Sequence, residues 1–234
     1  MATVNTFLYW VQELHRESGA AGRAPTTVTG VTGEAARLVG WVKEANQSVQ
    51  RLWDNWKFLR TTYSQACTAG TNTLAAPADI GAGTWDLDSF MITESGQSIS
   101  SPILVYEYDN VKQEPIDTSS GVPWRVVVMP DNSLRLESTP NAAHVIAADY
   151  YREPAVDEFD VDADTSTIPA KFQRIILAEA LLMYAEYEGA QEAKTKGDRI
   201  KGEIMPRLEN SQLPNGGNSR YKVGAGRHIE VIAQ

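Results

Sequence analysis

Residues 124–137 read Trp-Arg-Val-Val-Val-Met-Pro-Asp-Asn-Ser-Leu-Arg-Leu-Glu, and their reading decides the fold. Val126-Val127-Val128 and Leu134-Arg135-Leu136 are two short β-like runs. Between them, Pro130-Asp131-Asn132-Ser133 supplies residues that preset or tolerate turn dihedrals, so the stretch predicts a β-hairpin. Similar runs surround it: Thr84–Ile92, Ile103–Tyr108 and Val145–Tyr151. Turn signals separate them at Pro77-Ala78-Asp79, Glu94-Ser95-Gly96, Asp109-Asn110 and Ser120-Gly121. Short strands at this spacing predict an antiparallel sandwich or barrel-like module over residues 61–155.

Outward from that block the hydrophobic period becomes helical. Phe7, Trp10, Val11 and Leu14 fall at i, i+3, i+4 and i+7, one face of a short amphipathic helix. Ser18 to Gly33 is a Gly/Ala/Pro/Thr breaker. A second helix is predicted from about Glu34 to Leu59, with Leu38, Trp41, Val42, Val49, Leu52, Trp53, Trp56 and Leu59 as its apolar residues. Trp53 and Trp56 lie three apart, so they would share a face and anchor the core. After the block, Thr165-Ser166-Thr167-Ile168-Pro169 is a helix start signal. Phe172, Ile176, Met183, Tyr184 and Tyr187 line the helix that follows. Helical character continues through Ile200 and Ile204, weakened by Gly189, Gly197 and Gly202, and Pro206 ends or kinks it.

The expected class is therefore α+β. Residues 1–60 and 165–208 make a helical body, 61–155 an inserted β module, 156–164 an acidic linker and 209–234 an extended tail. Trp53, Trp56, Phe172, Ile176 and Tyr184 are the expected helical core anchors.

The chain has a net charge of −9. Residues 61–155 hold four Lys/Arg against twelve Asp/Glu, so most of the acid lies in the β block. Phosphate contacts need clustered Lys or Arg, and none is present, which argues against tight nucleic-acid binding. An acidic surface past which DNA slides stays compatible. No apolar run of membrane-spanning length exists, and the first residues lack a secretory pattern. The single cysteine, Cys67, allows no internal disulfide and fits a reducing cytoplasm.

A search for chemistry is negative. His15, His144 and His228 fall in three different elements. No His-x-x-x-His or Cys-x-x-Cys pair supports a zinc site, and no nucleophile elbow or P-loop is present. Asp160, Asp162 and Asp164 fit positions 1, 3 and 5 of a calcium loop. Thr165 then replaces the required Gly and Lys171 the bidentate Glu, which rejects that site. The sequence implies no catalytic residues, metal or cofactor.

The tail, ENSQLPNGGNSRYKVGAGRHIEVIAQ, opens with a breaker and closes on the alternating run His228-Ile229-Glu230-Val231-Ile232. It is too polar and Gly-rich to fold alone, while its final run suits addition to a partner's sheet edge. The same composition also describes a frayed end with no role.

Five strings in order carry a resemblance. They are Leu52-Trp53-Asp54-Asn55-Trp56-Lys57-Phe58-Leu59, Gly121-Val122-Pro123-Trp124-Arg125, Leu134 through Pro140, Asp149-Tyr150-Tyr151-Arg152-Glu153-Pro154, and Asp164 through Phe172. Together, over roughly residues 35 to 208, they resemble the head–tail adaptor (connector) proteins of tailed bacteriophages. The resemblance implies a structural virion protein with no enzymatic role. It would be a homo-oligomeric, dodecameric ring at the head–tail junction, assembled in the host bacterial cytoplasm. Portal protein would lie above the ring, and a tail, tail-terminator or nozzle protein below. Packaged DNA would pass through without sequence-specific binding, and no membrane is involved. Tyr221, Val223, His228, Ile229, Val231 and Ile232 would dock the tail on the portal.

Two other classes fit parts of the chain. A glycan- or receptor-binding β-sandwich on a helical stalk would use Trp85, Trp124, Tyr106 and Tyr108 as platforms. A hydrolase would use Asp86, Asp88 or Glu107, which nothing in the sequence selects.

Overall fold

The computed structural model describes residues 5–155 and 158–213. In chain order it forms α1 (Phe7–Ser18), α2 (Gly33–Arg51), β1 (Arg60–Ala66), β2 (Thr73–Leu74), β3 (Met91–Thr93), β4 (Ser100–Pro102), β5 (Leu104–Glu107) and α3 (Tyr108–Val111). There follow β6 (Ser120–Gly121), β7 (Arg125–Val128), β8 (Leu134–Glu137), β9 (Thr139–Pro140), β10 (Val145–Tyr151), α4 (Arg174–Glu188) and α5 (Gln191–Gln212). These described residues make two compact units, one from 5–60, 81–83 and 151–213, the other from 61–80 and 84–150.

In the first unit, α1, α2, α4 and α5 share one apolar core. The Thr6 hydroxyl caps α1 by accepting a hydrogen bond from the Tyr9 N–H at 3.3 Å. Phe7, Trp10, Val11 and Leu14 are all buried, the face their spacing predicts. Helix α4 carries apolar residues on most of its circumference, so it is the central helix. It stops at Gly189, whose φ of 68° is left-handed and costs glycine nothing. The helical stretch after Pro169 is thus divided into α4 and the long α5. Pro206 does not end α5, which runs through it to Gln212.

Trp53 is not a core anchor. Helix α2 stops at Arg51 rather than continuing to Leu59, and Leu52 bonds back to Val49. The turn that follows destroys the shared face. Trp53 is 44% exposed and Trp56 is fully buried. The Trp56 indole donates to the Val49 carbonyl at 3.2 Å and stacks on Phe58. Phe172, Ile176 and Tyr184 are buried in the same core.

The acidic segment before α4 does more than link. Phe159 is buried and stacks on Phe7 with ring centroids 4.6 Å apart. The carbonyls of Asp164 and Asp162 accept from the Phe7 and Leu8 N–H groups, which the first turn of α1 leaves without helical partners. The Asp162 carboxylate accepts from Val28 N at 2.6 Å and from the Thr27 hydroxyl at 3.1 Å, which ties down the loop between α1 and α2. The Glu158 carboxylate accepts from Asn46, Gln50 and both the backbone and hydroxyl of Thr167.

In the second unit, two four-stranded sheets have the orders β1-β10-β3-β4 and β2-β8-β7-β5, and β6 pairs with β9. The hairpin forms in the register Val126↔Leu136 and Val128↔Leu134, with Asn132 at a φ of 62° in its turn. Ile92, Ile146 and Ala148 of one sheet and Leu74, Val126, Leu134 and Leu136 of the other fill a common core around Trp85. Tyr63, Phe90 and Tyr150 surround that indole at 5.1 to 5.5 Å. Both sheets end in edge strands, so the module is open and sandwich-like rather than a closed barrel. Two pairs depart from the antiparallel expectation: β5–β7 and β6–β9 are parallel.

Candidate functional site

The predicted docking residues Tyr221, Val223, His228, Ile229, Val231 and Ile232 lie outside the described residues. The described surface offers two places where apolar groups meet solvent in an organised way.

The first is on the β module. Strand β7 carries Arg125 in a run that is otherwise valine, with Glu137 directly opposite on β8. Period-two alternation puts both side chains on one face of the sheet. Arg125 donates to Glu137 Oε2 through Nη2 at 2.6 Å and Nε at 3.2 Å, and to Glu114 through Nη1 at 2.6 Å. Arg135 donates to the other Glu137 oxygen at 3.0 Å. The Glu137 side chain is 1% exposed, so these charges neutralise one another out of water. The two carboxylates hold the Arg125 guanidinium above its ordinary pKa against the cost of its burial.

That fixed guanidinium underlies two exposed rings. It lies 4.8 Å from the Trp124 ring centroid and 5.4 Å from that of Tyr106, both within cation–π range. Trp124 is 47% exposed and Tyr106 40%. The Trp124 indole donates to Asp117 at 3.0 Å. That bond, followed by those from Ser119, lowers the Asp117 carboxyl to about 2. Of the four aromatics in the glycan-platform reading, Trp85 is buried in the core, Tyr108 is half-buried, and only Tyr106 and Trp124 present open rings. Arg125 and Glu137 organise this surface, and their signal in the sequence is a charge at the head of the valine run that faces another across the hairpin.

The second place is a cleft of about 200 Å³ in the helical unit, lined by Gln50, Trp53, Leu59, Gly83, Arg152 and Glu153 among others. The Trp53 indole on its rim donates to Glu209 of α5 at 3.2 Å. Gly81, next to the lining residues Ala82 and Gly83, sits at a φ of 46° in the left-handed region that favours glycine, with the Glu153 side chain where a Cβ would point.

Of the acids in the hydrolase reading, Asp86 has a structural role, while Asp88 and Glu107 are exposed. Asp86 accepts from the Asp88 N–H in a 3-10 turn over Leu87–Ser89, and Glu107 precedes α3. His144 is held between the Ser95 N–H and the Asn141 side chain. Cys67 is buried, and burial pushes its thiol up to about 11. Among the described residues no group of three His, Cys, Asp or Glu side chains is placed to hold a metal ion. Among them also, no helix is long and apolar enough to cross a membrane.

The chain is a helical bundle interrupted by an open sandwich, and its match to a family model places it among structural proteins of the phage head–tail adaptor class. The chain belongs to the SU10 adaptor protein family, whose family model matches residues 11–220. No curated protein matches it.

Proposed function

We propose that this adaptor forms a closed ring beneath the portal, surrounds the DNA channel and joins the capsid to the tail. Membership of the adaptor family over residues 11–220 is the observation that supports the reading. A ring of about twelve copies closes through one repeated heterologous contact. Helices α1, α2, α4 and α5 form the ring body, and the β module faces the tail-side components. A net charge of −9 with no Lys/Arg cluster suits a conduit that surrounds DNA without gripping it. Residues 221–234 dock on the portal, with Ile229 and Val231 to one side of an added strand and Glu230 and Ile232 to the other.

Mass determination of the purified chain, alone and mixed with its portal protein, tests the ring. A small species that becomes one large complex on mixing is expected; no complex at any ratio refutes it. Deleting residues 220–234 tests the tail, and unchanged portal affinity would discard its docking role.

A further inference from the structure

Strand β5 ends its sheet. It pairs with β7 on one side, in the register Leu104↔Arg125 and Tyr106↔Val127, and among the described residues no strand pairs with its other side. An edge strand offers a row of backbone N–H and C=O groups to any extended chain that reaches it, and folds blunt such edges with proline, lysine or cover. The neighbouring edge β4 is blunted by Pro102. β5, Leu-Val-Tyr-Glu, contains neither proline nor lysine.

The side chains along this edge are arranged for contact. Leu104 and Tyr106, two apart, point to the same face, and they are 49% and 40% exposed. Trp124 adjoins Tyr106 through the Arg125 guanidinium that both rings share. Arg125 is spent on Glu137 and Glu114, so the ledge is apolar, rigid and locally neutral. Tyr, Trp and Arg are the residue types that dominate binding energy at interfaces.

The surroundings select the partner's charge. Of the four basic residues in 61–155, Arg125 and Arg135 are both committed to Glu137. Lys112 is paired with Asp109 at 3.6 Å, which leaves Glu107, exposed at the end of β5, as the carboxylate beside the edge with no ion pair to a described residue. We infer that the free edge of β5, with Leu104, Tyr106 and Trp124 as its ledge, takes up an extended Lys/Arg-bearing segment of a tail-side virion protein by strand addition. The assignment of the partner to the tail side rests on the proposed function; strand uptake does not.

The test uses the full chain and two blocked octapeptides of equal charge. One alternates valine and lysine; in the other, prolines replace the two central valines. Backbone hydrogen exchange is followed over residues 104–107 by mass spectrometry, beside a binding isotherm. The alternating peptide is expected to slow exchange across Leu104–Glu107 and to bind at least tenfold tighter than the proline peptide. Leu104→Lys, a change at an exposed side chain, is expected to reduce that binding at least tenfold while leaving the thermal midpoint in place. Equal binding of both peptides would reduce the effect to charge alone and overturn the proposal. So would binding without protection of 104–107, or a glycan that binds at Trp124 while the peptide does not. A ring that assembles on the portal but ignores the peptide would sink this inference and leave the proposed function standing. Uptake of the peptide by a chain that makes no ring would do the reverse.

Discussion

Gly197 of α5 passes the backbone of Ala178 in α4 so closely that a Cβ on it would lie 3.0 Å from the Ala178 carbonyl oxygen. The Leu182 side chain stands at the same distance. Gly202, five residues further along the same helix, has nothing within 4 Å of its Cβ position. The two glycines therefore respond oppositely to alanine. Gly202→Ala should stabilise the chain by about 0.5–1 kcal/mol, the helix-propensity gain. Gly197→Ala should forfeit that gain and destabilise the chain, because a packed backbone carbonyl cannot step aside. Urea unfolding of both variants checks the pair; a stabilised Gly197→Ala would show that α4 and α5 can separate at no cost.

Glu137 is the common partner of Arg125 and Arg135, and its side chain is 1% exposed. Removing its charge leaves the half-buried Arg135 without its paired carboxylate and Arg125 with Glu114 alone. Glu137→Gln should cost about 3–5 kcal/mol, the usual price of breaking a buried pair from one side. The double variant Arg125→Met/Glu137→Leu should recover part of that loss. Recovery stays incomplete because Arg135 still loses its partner. Thermal and urea denaturation of the two variants measures the difference.

The two tryptophans near the end of α2 should separate sharply. Trp56 is fully buried and Trp53 is 44% exposed. Trp56→Ala should cost about 3–5 kcal/mol, as for a large core side chain replaced by alanine. Trp53→Ala should cost well under half of that, since its ring keeps much of its water contact. Equal losses in unfolding midpoint would return Trp53 to the core.

Burial raises the Cys67 thiol to about 11. The folded state thus favours the protonated thiol. Its contribution to stability is complete below the unfolded thiol pKa of about 8.5 and is lost as the pH rises toward the folded value. Wild type should lose stability between pH 8.5 and 11 relative to Cys67→Ala. Cys67 should also resist iodoacetamide at pH 8 until the chain is unfolded in urea. Rapid alkylation of the native chain would contradict the burial.

What could be read from the sequence follows from which signals are local. The hairpin 126–136 was legible because its turn chemistry and its flanking runs lie within eleven residues. The face of α1 was legible because Phe7, Trp10, Val11 and Leu14 repeat at helical spacing. The end of α2 was not: Leu52 to Phe58 contains no Gly or Pro, and the turn there is set by Trp56 folding back onto Val49. Of the two outcomes open at Pro206, ending the helix is excluded, since α5 runs through it to Gln212. The parallel partnership of β5 with β7 depends on a crossover of seventeen intervening residues that no period reports. Glu158 and Phe159 looked like solvated linker because their partners, Asn46, Gln50 and Phe7, are over a hundred residues away in the chain.

The first and last strands of the β module, β1 and β10, are hydrogen-bonded neighbours, and just beyond them the Arg152 N–H donates to the Leu59 carbonyl at 3.0 Å. The chain therefore departs from and returns to the helical frame across a gap of about one strand spacing, some 4.8 Å. Apart from residues 81–83, which belong to the helical unit, a gap that narrow sets little requirement on what lies between its two lips. Lengthening, shortening or exchange of the intervening hairpins leaves the path of the helices unchanged, so such a protein could acquire new attachment chemistry while keeping its scaffold.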